Sequence, residues 1–219
     1  MTSLPQSKEK LYAYCINLDR EPEKFSTVKK EFSDFLDIER ISAIDGASLH
    51  ITGISALVQT NIRLFKRIIQ ESKQQFAIII EDDIYRCPDF DTYFPKIYEF
   101  INNKENASTW DFISLDYCLN FEKPKMEIWN DFLYRVEKSR SAGFTIYNID
   151  FLKKNIDYLS SCYCLDMTMK HNVNFIQLIP NKMIVKQIVD KISTTEHMNT
   201  NYYEEFYHET ELYMKNYRF

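Results

Sequence analysis

Residues 76–80 read Phe-Ala-Ile-Ile-Ile and run straight into Glu81-Asp82-Asp83. An unbroken apolar run of this length fits a central strand covered on both faces. Two other segments share the pattern of a β-prone stretch closed by polar residues. Leu11–Leu18 ends in Asn17-Leu18-Asp19-Arg20, and Ile38–Ile44 is closed by Asp45-Gly46, read as a turn dipeptide.

Helical periodicity fills the gaps between them. Glu21-Pro22 opens a helix whose apolar positions are Phe25, Val28, Phe32 and Phe35. A longer amphipathic helix follows Gly53 and carries Leu57, Ile62, Phe65, Ile68 and Ile69. The order β-α-β-α-β predicts an α/β fold, a mainly parallel sheet flanked by helices in a single domain. Ligands of such sheets bind beyond the carboxyl ends of the strands. The three polar strand ends are therefore the candidate site.

The second half is less regular. A helix is expected over Asp91–Ile101, and strands over Trp110–Leu115, Ile128–Val136 and Phe144–Ile149. A helix over Phe151–Leu159 and short strands over Asn174–Ile179 and Met183–Ile188 follow. A last helix, Tyr202–Tyr217, has Tyr203, Phe206, Tyr207 and Tyr213 on its inner side. Residues 1–10 read as an N-terminal tail, 11–200 as the folded domain and 201–219 as a C-terminal helix or tail.

Composition narrows the partners. The charge balance is 27 − 32 = −5, and neither nucleic acid nor an anionic membrane surface suits an acidic chain of this kind. No segment approaches the ~20 apolar residues of a spanning helix, and the first ten residues carry no signal-peptide apolar core. A soluble, cytoplasmic protein is the expectation. The five cysteines are odd in number and scattered, which fits reduced thiols better than disulfides or zinc. Oligomeric state is not legible.

Glu81, Asp82 and Asp83 are the strongest chemical feature. Three adjacent carboxylates repel one another unless a cation or donors compensate. Side chains alternate along a strand, so Glu81 and Asp83 are expected on one side. Hard oxygen ligands of this kind suit Mn²⁺ or Mg²⁺. The competing reading is a solvated acidic turn or a helix cap, which Tyr85-Arg86-Cys87-Pro88 disfavours because no helical pattern follows. Asn17, Asp19 and Arg20 have the chemistry to meet a nucleotide, although Asp19 as a helix N-cap is the simpler explanation. Neither a G-x-G-x-x-G nor a P-loop sequence is present.

Three segments in register, Tyr14–Arg20, Ile41–Gly46 and Ile79–Ile84, resemble successive signatures of glycosyltransferase family 25, the lipopolysaccharide-biosynthesis and collagen galactosyltransferase-like group. Trp110–Ile113, Ser141–Phe144, Asp166 and Ser193-Thr194 resemble later family segments. The similarity covers roughly residues 11–195. One segment departs: where the family has G-E-x-G-C-x-x-S-H, this chain has Gly53-Ile54-Ser55-Ala56-Leu57-Val58-Gln59-Thr60-Asn61. Asn61 stands in the histidine position, where it can hydrogen-bond but not titrate.

The resemblance implies a GT-A fold, with one Rossmann-like sheet, and transfer of a hexose, galactose or glucose, from a UDP-sugar to a glycan or modified-protein hydroxyl, with inversion. It implies Mn²⁺ or Mg²⁺ held by Asp83 with Glu81 or Asp82, and a donor site at Asn17, Asp19, Arg20, Asp45, Asn61 and Asp82. His197 is a further candidate metal ligand, with a solvated loop histidine as the simpler account. Asp166 is the first candidate for the base that takes the acceptor proton, and Asp116 the second, while an N-cap and a turn are their structural alternatives. The substitutions at Ile54, Ser55, Ala56 and Asn61 also admit a relative that binds nucleotide or glycan without turnover.

Overall fold

The computed structural model describes residues 10–119, 124–170, 172–188 and 201–216. Strands β1 (Leu11–Asn17), β2 (Leu36–Ser42) and β3 (Phe76–Glu81) alternate with helices α1 (Pro22–Phe32), α2 (Gly46–Leu49) and α3 (Gly53–Glu71). Next come β4 (Ile84–Arg86), α4 (Phe90–Asn102), β5 (Phe112–Ser114), β6 (Met126–Ile128), β7 (Leu133–Val136) and β8 (Phe144–Asn148). Helices α5 (Ile149–Ser160) and α6 (Leu165–Lys170), strands β9 (Gln177–Pro180) and β10 (Val185–Gln187), and helix α7 (Asn201–Asn216) complete the order.

The main sheet runs β2-β1-β3-β8-β5-β9-β7-β6, and β10 with β4 forms a separate antiparallel pair. Pairing is parallel for β1 with β2, β1 with β3 and β5 with β9. It is antiparallel on both sides of β8 and of β7. Consequently β1, β2, β3, β5, β6 and β9 point one way while β7 and β8 run against them. The sheet is mainly parallel in strand direction, as the α/β pattern predicts.

Alternation along β3 splits its apolar residues between two cores. Phe76, Ile78 and Ile80 meet α1 and α4 through Val28, Phe32, Phe90, Phe94 and Ile97. Ala77 and Ile79 meet α3, α5 and α6 through Leu64, Phe65, Ile68, Leu152 and Met169. The unbroken run is thus the signature of a strand that contributes to both cores. No helix among the described residues is long and apolar enough to cross a membrane.

Several expected boundaries move for identifiable reasons. Asp45-Gly46 is not a simple turn: Asp45 caps the short helix α2 by accepting from the Ala47 N–H at 3.0 Å. Phe35 lies beyond the end of α1, with its ring edge-on to Phe90 and Phe94. The strand expected over Ile128–Val136 is the hairpin β6–β7, because Asn130 Oδ1 accepts from the N–H groups of Phe132 and Leu133 and turns the chain. In α7, Phe206 and Tyr207 are buried as expected, and Tyr213 is half-buried against Met214 and its neighbours. The side chains of Tyr202 and Tyr203 lie outside the description.

Candidate functional site

Because β2, β1 and β3 are adjacent and parallel, their carboxyl ends open on one edge of the sheet. Asn17, the last residue of β1, is buried and joins the three strand ends. Its Nδ2 donates to Asp82 Oδ2 at 2.6 Å and to the Glu21 carbonyl at 2.8 Å. Its Oδ1 accepts from Arg40 Nε of β2 at 2.6 Å. Arg40 Nη2 also reaches Asp19 Oδ1 at 2.7 Å, and Ser42 Oγ reaches Asp19 Oδ2 at 2.7 Å. Asp19 is therefore no helix cap. The cap position of α1 is Glu21, which makes no side-chain cap bond, and Asp19 turns to the end of β2 instead. These two donors hold the Asp19 carboxyl below its usual range.

Arg20 pairs with Asp45 across the mouth of the same edge. The guanidinium beside Asp45 lowers that carboxyl, and the Ala47 and Ser48 backbone groups add to the effect. Asn61 sits more than two turns inside α3, where it is buried and donates from Nδ2 to the Leu57 carbonyl at 3.0 Å. It bonds its own helix rather than the strand-end cluster. Its neighbour Thr60 makes the connection: Thr60 Oγ1 accepts from the Ile44 N–H at 2.9 Å and so ties the segment after β2 to α3.

The three carboxylates after β3 divide. Asp82 turns toward Asn17, with Lys24 nearby. Glu81 and Asp83 turn together toward Gln187 of β10, whose Nε2 lies 3.3 Å from Glu81 Oε2 and 3.5 Å from Asp83 Oδ1. Burial raises the proton affinity of both, and neighbouring carboxylates raise it further. Glu81 rises well above its ordinary value with Asp83, Asp116, Asp82 and Asp166 around it. Asp83 is pushed up to about 7 by burial and by Asp82 and Asp116.

Asp116, just past β5, forms the floor. It is fully buried; its Oδ1 accepts from Tyr207 OH at 2.9 Å, and its Oδ2 accepts from Ser141 Oγ. The Gly143 N–H adds a third donor. Burial raises Asp116, and these donors together with the charge of Lys170 oppose the rise. Ser141 has a left-handed φ of 74°, and its carbonyl accepts from Lys170 Nζ, a lysine that is 1% exposed. Burial pulls Lys170 down to about 8, against the charges of Asp166 and Asp116. Gly143 is required at its position: a Cβ there would lie 2.7 Å from Asp116 Oδ2 and 2.8 Å from Ile84 Cγ2.

Asp166 is the second residue of α6 rather than the residue that caps it. Its Oδ1 accepts from Cys164 Sγ at 2.8 Å and from the Met167 N–H at 2.7 Å. Half-buried, it contributes to the field at Glu81. His197 and Ser193-Thr194 lie outside the described residues.

Reading the sequence missed Arg40, Lys170 and Gln187. Arg40 had a signal, the one cation of its strand, next to the polar strand end, whereas Gln187 had none, since only the β4–β10 pairing carries it across the acids. Among the described residues no three His, Cys, Asp or Glu side chains converge into a ready-made metal cage. Mn²⁺ and Mg²⁺ do not need one, because one or two carboxylates plus phosphate oxygens and waters suffice. Glu81 and Asp83, both charge-stressed and served by one long-range amide donor, fit such an ion. The absence of a Cβ at Gly143 lets Asp116, Ile84 and the Gln187 stem pack closely beside them.

No family model matches the chain, and no curated protein matches it, so membership in family 25 is not shown. Two solved structures are similar in part. The crystal structure of A197 from STIV aligns at a TM-score of 0.44 and 10% identity, over 87% of this chain and 100% of that one. UDP-glucose pyrophosphorylase complexed with UDP-glucose aligns at 0.41 and 9% identity, over 93% and 81%. Both scores fall below 0.5, so the reading that follows rests on the residues of this chain.

Proposed function

We propose that the chain is a metal-dependent inverting glycosyltransferase that moves a hexose, galactose or glucose, from a UDP-sugar to a glycan or modified-protein hydroxyl. The observation that carries this reading is the bonding of Asn17 to both Arg40 and Asp82. It joins three strand ends, each within a segment resembling family 25, into one edge beside an acidic pair.

In this reading Glu81 and Asp83 hold Mn²⁺ or Mg²⁺. The ion supplies charge neutralisation for the departing diphosphate, which lowers the cost of breaking the sugar C1–O bond. Asn17, Asp19, Arg20, Asp45 and Asp82 line the donor side, and Arg40 fixes Asn17 and Asp19 in place. Asp166 is the carboxylate proposed to accept the acceptor's hydroxyl proton as the new bond forms on the opposite face of the sugar. Asp116 is better suited to positioning, since three donors occupy its oxygens. Asn61 bonds its own helix and serves the donor side only indirectly.

A second reading, nucleotide or glycan binding without turnover, draws on that same Asn61, which brings no titratable group to the edge. A UDP-sugar panel with and without EDTA separates the two. UDP release that requires Mn²⁺ or Mg²⁺ is the expected result. Metal-independent release contradicts the mechanism, and UDP binding with no product from any donor favours the second reading.

A further inference from the structure

Gln187 reaches the acidic pair from β10, on the opposite strand of the short β4–β10 sheet. Its amide nitrogen faces Glu81 Oε2 and Asp83 Oδ1 at 3.3 and 3.5 Å, both longer than a well-formed N–H···O bond. One donor thus spans the two carboxylates. Glu81 and Asp83 would fill two positions of a divalent ion, with waters and phosphate oxygens for the rest, and among the described residues no third acid, histidine or cysteine joins them as a protein ligand.

The backbone of Gln187 is fixed from both sides of this pair. Its N–H donates to Tyr207 OH at 2.9 Å, and that hydroxyl in turn donates to Asp116. The next residue, Ile188, donates its N–H to the carbonyl of Asp83. Pairing of Gln187 with Ile84 sets the register across the short β4–β10 sheet. The side-chain stem passes over Gly143, where a Cβ would come within 3.3 Å of Gln187 Cγ. The stem is therefore held over the acids while the amide end keeps its own torsion.

Resting on the metal reading above, we infer that Gln187 is the third side-chain ligand of the cation. Rotation about the Cγ–Cδ bond exchanges Nε2 for Oε1. Without an ion the amide donates to the two carboxylates and partly offsets their repulsion. With an ion the same amide presents its oxygen, and Glu81, Asp83 and Gln187 form an all-oxygen set suited to Mn²⁺ or Mg²⁺. Tyr207 is the positioning residue that keeps Gln187 in reach.

The test is titration of the full chain with Mn²⁺ alone, without nucleotide, followed by loss of the free-ion EPR signal. Gln187→Met keeps the length of the side chain and removes the oxygen; Gln187→Glu keeps an oxygen and adds charge. Thermal melts in EDTA establish that each variant is folded. Gln187→Met is expected to weaken Mn²⁺ binding about tenfold or more, and Gln187→Glu to bind at least as tightly as wild type. Wild-type affinity in Gln187→Met overturns the assignment. So does equal weakening in both variants, which would mark Gln187 as a packing residue. Should Gln187→Met not fold, weaker binding by Gln187→Glu than by wild type overturns it alone. Wild-type protein that binds no Mn²⁺ overturns the metal reading itself, a failure visible before any variant is made.

Discussion

Asn17 Nδ2 and Asp82 Oδ2 lie 2.6 Å apart, joining the carboxyl ends of β1 and β3 through a side chain that is 1% exposed. A buried amide that bonds a carboxylate on one side and a guanidinium on the other leaves each short of one bond when it is removed. Asn17→Leu keeps the branched shape and removes these two bonds and the one to the Glu21 carbonyl. Urea unfolding should show a loss of about 1–3 kcal/mol. Titration with UDP in Mn²⁺ should show weaker binding than wild type, since Arg40 and Asp82 no longer hold one another in register.

Gly143 faces Asp116 and Ile84 at distances a methyl group does not tolerate. Its neighbours are a saturated carboxylate and a buried β-branched side chain, and neither yields easily. Gly143→Ala should therefore cost about 1–3 kcal/mol in urea unfolding, the range for overpacking a filled interior. Unchanged stability would show that the Asp116 floor is looser than its hydrogen bonds imply.

The acidic pair gives the apoprotein a pH dependence with a definite sign. Asp83 rises from 3.8 to about 7 on folding, and Glu81 rises from 4.5, both mainly through burial. The fold prefers their protonated forms, so their favourable contribution is complete below the unfolded values and is lost as pH climbs through about 7. In EDTA the melting temperature should fall between about pH 5 and pH 8. Mn²⁺ competes with protons for the same oxygens, so adding it at about pH 7.5 should raise the melting temperature more than at about pH 5. A flat EDTA profile contradicts the raised proton affinity of the pair, and a Mn²⁺ effect larger at the acid end contradicts the assignment of Glu81 and Asp83 as ligands.

What the sequence made legible follows from where its signals are local. The run Phe76–Ile80 encodes a doubly covered strand, and the periodicity of Gly53–Glu71 encodes α3, because each pattern reports burial of its own residues. The polar strand ends marked Asn17, Asp45 and Glu81–Asp83 for the same reason. Hidden information lay in pairings between distant segments. Nothing near Phe144 announces that β8 enters antiparallel between β3 and β5, and nothing near Gln187 announces that it crosses to Glu81, 106 residues away. Asp116 read as a turn or a base because its partners, Ser141 and Tyr207, come from segments 25 and 91 residues distant.

The reversed strand β8 has a consequence during synthesis on the ribosome. The first three strands emerge and can pair early, but one edge of β3, the most apolar strand of the set, stays open until residues 144–148 are made. Over that interval the nascent chain exposes a sticky border of the kind that recruits other unfinished chains. Polypeptides cut short before Phe144 should therefore clump, and a holdase chaperone has most to protect in the stretch between the acidic triplet and β8.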